Sequence, residues 1–74
     1  MSAPQDIRLR EIEHLILGQP VLISDVDSDR SVLVDIEKGE EIPEDMLDMW
    51  VLLITPVSNH LGEEVHWLAI AVSN

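Results

Sequence analysis

Three aspartates at alternate positions come closer to a known chemical site than any other residues of this chain. Asp25, Asp27 and Asp29 form a D-x-D-x-D run, the pattern with which the calcium loop of an EF-hand begins. That loop needs a glycine where this chain has Arg30 and a bidentate glutamate where it has Ile36. Because both positions are wrong, the run predicts a solvated hairpin turn, and we expect no metal site there.

The histidines are the other residues that could bind a metal. His60 and His66 flank Glu63 and Glu64 in the last third of the sequence. Their spacing does not match the recurring patterns of zinc ligands. We therefore interpret His66 as a strand residue at a sheet margin and predict neither a metal ion nor a cofactor.

No nucleophile stands in a recognisable catalytic setting. The chain has no cysteine and no tyrosine, and its three glycines form no phosphate-binding loop. Adjacent carboxylates, such as Glu40 with Glu41, lie in predicted turns, whereas a catalytic pair needs a walled pocket that separates the two pKa values. A chain of 74 residues has little interior for such a pocket. We therefore predict no catalytic residue and a protein that is not an enzyme.

The charge balance points to a protein partner. Four Lys and Arg residues stand against fifteen Asp and Glu, a formal charge of -11, while 46% of the residues are hydrophobic. Hydrophobicity at this level favours one folded domain, residues 1–74, over disorder. The negative field repels nucleic acids and anionic membranes and attracts basic proteins. The lack of cysteine and of a signal-peptide pattern favours a cytoplasmic location.

The N-terminal residues carry a helical pattern. Pro4 stands where its missing N–H is harmless, and Gly18 followed by Pro20 provides an end signal. Between them, four apolar residues share one stripe of a helical wheel: Leu9, Ile12, Leu15 and Ile16. We predict a helix from Pro4 to Leu17.

Four strands are predicted after this helix. Pro20–Val26 and Ser31–Glu37 form a first hairpin across a polar turn, and Met49–Thr55 and Val65–Val72 form a second. A short acidic connection between the hairpins includes one or two helical turns at residues 43–48. The predicted fold class is α+β, with the N-terminal helix packed on a four-stranded, mostly antiparallel sheet. The order is helix, hairpin, short acidic connection, hairpin.

The last two strands are apolar on both faces. Trp50, Leu52 and Ile54 are expected to share one face of the first of these strands, and Trp67 lies in the second. One helix covers only one face of a sheet, so we expect an apolar interface at these four residues. We predict a homodimer through the sheet, or an obligate partner. The alternative is that the turn at residues 43–48 and the loop at residues 56–64 fold back as a lid.

The acidic residues outside the helix are clustered along the sequence. If the first hairpin and the acidic connection lie on one side, they form a partner-binding carboxylate face: Asp25, Asp27, Asp29, Asp35, Glu37, Glu40, Glu41, Glu44, Asp45 and Asp48. Such a face keeps a small hydrophobic protein soluble. It can also imitate a nucleic-acid backbone, since a strand rises about 3.3 Å per residue and each DNA strand carries phosphates at steps of roughly 3.4 Å. Both interpretations stay open.

Two parts of the chain resemble a known family. The helix start Asp6-Ile7 and the closing hairpin, with Leu52-Leu53-Ile54-Thr55 and Trp67-Leu68-Ala69-Ile70, are similar to the phage uracil-DNA glycosylase inhibitors, which are small acidic DNA mimics. The resemblance implies an inhibitor that occupies a DNA-binding site. The chain departs from the family after its first strand. The family has a second helix there, which helps to build the binding pocket, whereas this sequence has the turn Asp25–Asp29.

These patterns predict a small, acidic, non-enzymatic protein-interaction module. In its sharpest form it is a DNA-mimic inhibitor or regulator that binds a basic nucleic-acid-binding protein. The alternative is a structural or assembly subunit that docks through an apolar sheet face and whose acidic surface serves solubility. The two predictions place the partner on different surfaces of the molecule.

Overall fold

A computed structural model describes residues 7–15 and 18–73 of the chain. Its four strands are β1 (Val21–Asp25), β2 (Ser31–Val34), β3 (Trp50–Ser58) and β4 (Glu64–Val72). Three short 3₁₀ segments accompany them in the described residues: Leu9–His14 before the sheet, and Ile36–Lys38 and Glu44–Met46 between β2 and β3. The strands follow the predicted order, but the helical content is small and consists of 3₁₀ turns.

The four strands form one sheet in the order β2-β1-β4-β3. β1 and β2 form an antiparallel hairpin, as do β3 and β4, which confirms the two predicted hairpins. The central strands β1 and β4 are parallel, with Ile23 opposite Ala69, so the predicted mostly antiparallel sheet is a mixed sheet. The parallel pair arises because residues 35–49, the crossing segment, return the chain over one face of the sheet to the end where β1 finishes. β3 therefore starts from that end, and β4 runs alongside β1.

The N-terminal helix predicted from Pro4 to Leu17 is not confirmed. Its described part forms only the 3₁₀ helix Leu9–His14, and residues 4–6 and 16–17 lie outside the described part of the chain. An α-helix and a 3₁₀ helix both bring residues three apart onto one side. A stripe as short as the predicted one does not distinguish between them.

Hydrogen bonds to the crossing segment hold this helix in place. The backbone amide of Leu9 donates to the carbonyl of Met49 (2.9 Å), and that of Arg10 donates to the carbonyl of Leu47 (3.1 Å). The three-residue repeat then places Leu9 and Ile12 on one side, where both are fully buried. Contacts with distant residues therefore fix where this helix lies against the sheet.

One face of the sheet, the core face, is covered by the 3₁₀ helix and the crossing segment. The buried core combines strand residues with side chains from these two covering pieces: Leu9, Ile12, Val21, Ile23, Val34, Ile42, Met46, Met49, Val51, Ala69 and Ala71. The strand members of this set share one face by register, because Val21 pairs with Val34 and Val51 with Ala71. The acidic connection thus helps to close the same face that the 3₁₀ helix covers, whereas the lid alternative had placed it over the other face.

The ends of two strands differ from the prediction. β2 was expected to reach Glu37 but ends at Val34, and the next residues form a 3₁₀ turn that closes at Gly39, whose φ of 88° favours glycine. β3 continues through Pro56 to Ser58. Proline is tolerated there because β3 lies at the edge of the sheet.

A bulge in β3 changes which of its residues share a face. Val51 pairs with Ala71, and Leu53 pairs with the next residue of β4, Ile70. Leu52 is therefore an extra residue, opposite which β4 has no counterpart. The strict alternation that the sequence analysis assumed fails at this one position.

The bulge corrects the predicted apolar row in the C-terminal strands. Trp50 pairs with Val72 and lies on the face opposite the core. Ile54 and Trp67 lie on the core face and pack against the buried cluster. Trp50, Leu52 and Ile54 therefore do not form the single row that alternation predicted.

Candidate interaction surfaces

The crossing segment has a buried side and a charged side. Ile42 and Met46 are almost fully buried, with 3% and 1% of their surface exposed. The carboxylates of the segment, which we call the acidic layer, are exposed except for the half-buried Asp35: Asp35, Glu37, Glu40, Glu41, Glu44, Asp45 and Asp48. Because apolar anchors alternate with acids along the segment, burial of the anchors sets where the carboxylates stand.

The β1–β2 turn adds three more acids at one end of the sheet. Asp27 and Asp29 are exposed, and Asp25 is half-buried. Arg30 follows them, and its guanidinium donates to both carboxylate oxygens of Asp45 (2.5 and 3.3 Å). This ion pair joins the first hairpin to the acidic layer, so the acids of the turn and of the layer adjoin there.

Arginine contacts lower the pKa of two carboxyl groups in the layer. The side-chain hydrogen bond from Arg30 holds the pKa of Asp45 below its usual value and raises the pKa of Arg30 itself. A hydrogen bond from Arg10 lowers the pKa of Asp48, with a smaller contribution from the charge of Arg8. Within the described residues, the ion pairs of the layer involve these two aspartates. All of these groups are exposed to water, so the pairs orient side chains more than they stabilise the fold.

The aspartates of the turn take part in hydrogen bonds of the turn itself. Asp25 Oδ1 accepts from the backbone amide of Asp27 (2.9 Å), and Asp27 Oδ2 accepts from the hydroxyl of Ser73 (3.0 Å). Across residues 7–15 and 18–73, no group of three or more Asp, Glu, His or Cys side chains is placed to hold a metal ion. The chain forms a turn at this point rather than the second helix of the uracil-DNA glycosylase inhibitors.

An open cleft of about 710 Å³ lies between the 3₁₀ helix and the crossing segment. It is lined by Arg10, Glu13, Glu41, Ile42, Pro43, Glu44, Leu47 and Asp48. Glu13 accepts a hydrogen bond from the backbone amide of Ile42 (3.3 Å), and Arg10 binds Asp48. The exposed Glu41 and Glu44 lie on the rim. The cleft therefore presents carboxylates to water at its rim.

The face of the sheet opposite the core, which we call the open face, is formed by alternate strand residues. These are Leu22 and Ser24 of β1, Ser31 and Leu33 of β2, Trp50, Leu53, Thr55 and Val57 of β3, and His66, Leu68, Ile70 and Val72 of β4. None of them belongs to the buried core. No Asp, Glu, Lys or Arg stands among these strand positions, although 26% of the chain is charged.

Apolar side chains form a continuous patch on the open face. Register places Leu33 beside Leu22, and Leu22 beside Leu68, so one leucine row crosses three strands. Leu33 and Leu53, towards the two sides of the sheet, are 59% and 46% exposed. Leu68 and Ile70 on the central strand are half-buried. An exposed apolar patch of this extent is typical of an interface.

Trp50 lies at the end of the open face that adjoins the N-terminal residues. The guanidinium carbon of Arg8 is 4.1 Å from the centroid of its ring, a cation–π contact. Arg8 also donates to the backbone carbonyl of Asp48 (3.0 Å) and forms an isolated β-bridge with Trp50. The chain thus covers the start of the outer edge of β3 with its own residues.

The apolar residues that the structure brings together differ from those that the sequence indicated. Sequence analysis named Trp50, Leu52, Ile54 and Trp67, and the structure separates them. The open face instead combines Trp50 with Leu22, Leu33, Leu53, Leu68, Ile70 and Val72. The alternation of β4 in the sequence predicted that Leu68, Ile70 and Val72 share one face. The sequence did not indicate Leu33, because its neighbours on the same face of β2 are polar.

Two further observations bear on the assignment of function. In the described part of the chain, every helix is too short or too polar to cross a lipid bilayer. Comparison of the chain with protein-family models, with curated proteins and with solved structures gave no match. The functional argument therefore depends on the two surfaces of the molecule itself.

Proposed function

We propose that this chain is a small, non-enzymatic protein-interaction module whose acidic layer binds a basic protein. In its sharpest form it is a DNA-mimic inhibitor or regulator of a nucleic-acid-binding protein. One observation supports this proposal above the others: the crossing segment buries Ile42 and Met46 and exposes its carboxylates on the same side of the sheet. Carboxylates with set positions give a basic groove an oriented array to recognise. A cytoplasmic location, favoured by the absence of cysteine, suits such a partner.

The charge of the chain supplies the attraction in this proposal. A net charge of -11 steers a basic protein towards the molecule. At the surface, exposed acids such as Glu41 and Glu44 would form charge-assisted hydrogen bonds with Arg or Lys. The array comes from turns, because Asp25 alone of the predicted acids lies in a strand. The match between strand rise and phosphate spacing therefore does not support the proposal, which depends on the charge and the fixed positions of the carboxylates.

A charge-neutralised pair with a matched control tests the proposal. Glu41→Gln with Glu44→Gln removes two carboxylates from the acidic layer. Glu63→Gln with Glu64→Gln removes the same charge from the β3–β4 turn and the start of β4. Each immobilised variant is exposed to a fraction of heparin-binding proteins, and to purified uracil-DNA glycosylase as the partner that the resemblance implies. Binding is measured across a range of salt concentrations and in competition with duplex DNA.

The expected result separates the two pairs. Binding of the unmodified chain should weaken steeply with salt and compete with DNA. The acidic-layer pair should weaken it by about tenfold or more, and the control pair by clearly less. Binding that is insensitive to salt, or that both pairs reduce equally, would contradict the proposal. The absence of any bound basic protein would do the same.

The open face favours a second candidate function, that of a structural or assembly subunit that docks through an apolar sheet face. Its supporting observation is the absence of charged residues from the strand positions of that face. Under this function, the triple variant Asp25→Asn, Asp27→Asn and Asp29→Asn should leave assembly intact. A lysine in place of Leu68 should abolish it, and chromatography of the assembled complex distinguishes the two outcomes.

A further inference from the structure

The distribution of charge restricts how two copies of this chain can meet. Each copy carries a formal charge of -11, so most surfaces of one copy repel those of another. The open face is different because its strand positions carry no charged side chain. The acidic layer lies on the opposite side of the sheet, over the core face. Two copies that meet through their open faces therefore keep their acidic layers on the outside of the pair, far from each other.

The size of the open face suits a small dimer interface. Strands about 4.8 Å apart with a rise of about 3.3 Å per residue give this sheet a face of roughly 450 Å² in projection. Two such faces present roughly 900 Å² in projection. That area is close to the roughly 1,000 Å² that a specific interface needs, so the dimer belongs among the smaller and weaker interfaces.

Large and small side chains are distributed unevenly across the open face. One row across the sheet runs Ser31, Ser24, Ile70, Leu53, from β2 to β3. A twofold axis parallel to the strands and between two stacked sheets places Leu53 of one copy over Ser31 of the other, and Ile70 over Ser24. In this row, large residues then pack into the space above small ones, which is how stacked sheets interdigitate at about 10 Å separation. The adjacent row places Leu22 of one copy over Leu68 of the other.

From these three observations we infer that the open face is covered by a second copy of this chain, in a twofold dimer of stacked sheets. The inference does not depend on the partner of the acidic layer. It leaves both acidic layers free on the outer sides of the dimer, so one dimer presents two equivalent charged surfaces.

The solution mass of matched lysine variants tests this dimer. Leu53→Lys places a charge in the open face, where the side chain of the isolated chain is already 46% exposed, so the monomer should fold. Leu61→Lys is the control, because Leu61 is an apolar residue of the β3–β4 turn and is 71% exposed. Both variants make the net charge one unit less negative. A lost dimer therefore cannot be attributed to greater repulsion.

Size-exclusion chromatography with light scattering should give twice the 8.3 kDa chain mass for the unmodified protein and for Leu61→Lys. For Leu53→Lys, the dissociation constant should rise by about 100-fold or more, because two ammonium groups would be buried without partners. Circular dichroism checks that each variant is folded. If Leu53→Lys does not fold, Leu33→Lys on the other side of the face, at 59% exposure, gives the same test.

Three results would overturn the inference. The first is a monomeric unmodified chain at tens of micromolar, and the second is a dimer that both open-face variants leave intact. The third is a monomer whose open-face variants lose binding to a different protein, which assigns the face to that protein. The Glu41→Gln and Glu44→Gln pair should keep the dimer, so failure of the dimer and failure of the acidic-layer proposal are separate results.

Discussion

At the scale of single residues, Arg30 links two parts of the chain that are distant in sequence. It belongs to the β1–β2 turn, yet both of its hydrogen bonds to Asp45 reach the crossing segment. The pair therefore connects the two parts of the chain from which the carboxylate face was predicted. Because both groups are exposed to water, the effect of the pair on stability is expected to be small.

The pH dependence of this pair follows from the lowered pKa of Asp45. The unfolded value is about 3.9 and the folded value is lower, so the contribution of the pair is present above about pH 4 and is lost as the pH falls through the folded pKa. A double-mutant cycle of Arg30→Gln and Asp45→Asn, followed by urea unfolding, should show a small favourable coupling at pH 7. The coupling should vanish once the pH has fallen below the folded pKa of Asp45.

The control for this cycle replaces Asp45→Asn by Asp29→Asn, which removes the same charge from the residue next to Arg30 in the chain. Its coupling to Arg30→Gln should be smaller at pH 7. Equal coupling for the two aspartates would show that Arg30 responds to the general acidic field rather than to one hydrogen-bonded partner.

At the scale of elements, β4 has two faces with different demands on side-chain size. Ala69 and Ala71 are fully buried on the core face, where small side chains let the 3₁₀ helix and the crossing segment approach the sheet. Leu68 and Ile70 alternate with them on the open face and are only half-buried. A larger residue therefore has opposite consequences on the two sides of this strand.

Ala69→Leu should destabilise the fold by about 1–3 kcal/mol, because the added atoms overpack a filled core. Ile70→Leu, on the other face of the same strand, should change the free energy of unfolding by less than about 1.5 kcal/mol. Urea unfolding of both variants measures the difference. A larger effect for Ile70→Leu than for Ala69→Leu would reverse the assignment of the two faces.

The crossing segment is anchored by Met46, which is 1% exposed. Met46→Ala should lower the free energy of unfolding by about 2–5 kcal/mol, through lost burial and the cavity that remains. Leu61→Ala is the control, since an exposed turn residue should change stability by no more than about 0.5 kcal/mol. An equally small effect at both positions in urea unfolding would mean that the segment does not depend on this anchor.

Much of the arrangement of elements could be predicted from the sequence, because turn residues and short β-rich runs mark the hairpins. The parallel pairing of β1 with β4 could not, since local patterns do not tell which strands of two hairpins meet. The 3₁₀ form of Leu9–His14 could not be predicted either, because residues three apart share one side both in an α-helix and in a 3₁₀ helix. Its position depends on hydrogen bonds to Leu47 and Met49, which lie far away in the chain.

The candidate surfaces were predictable to different degrees. The acidic residues were named in full, because charge is readable from composition and most charged side chains stay exposed. The single-face row of Trp50, Leu52 and Ile54 was predicted incorrectly, because one extra residue at Leu52 reverses the facing of every residue of β3 beyond it. Sequence patterns rarely indicate a bulge of this kind. Leu53 and Ile54 therefore each lie on the face opposite to the one that alternation predicted.

At the scale of the whole molecule, the two sides of the sheet respond to salt in opposite ways. Contacts between the acidic layer and a basic protein weaken as salt screens opposite charges. Contacts between two open faces strengthen, because the same salt screens the repulsion between two chains of charge -11. A single titration with salt therefore separates the two kinds of association.

Raising sodium chloride from about 0.05 M to 0.5 M, a range over which the Debye length falls severalfold, should tighten the dimer and loosen a complex with a basic protein. Analytical ultracentrifugation measures the first change, and titration calorimetry with the basic partner measures the second. Uncharged sucrose at matched osmolality is the control. If salt weakens the dimer, ion pairs must hold it together, which the open face as described does not provide.

The parallel pairing of the central strands also has a consequence for how the chain folds. Each hairpin joins residues that are close in sequence, whereas pairing Ile23 with Ala69 requires most of the chain to close as a loop. Loop closure of this length slows folding more than the formation of either hairpin does. Folding should therefore be limited by the joining of two halves that have already formed, and substitutions along the seam between β1 and β4 should change the folding rate more than substitutions in either turn.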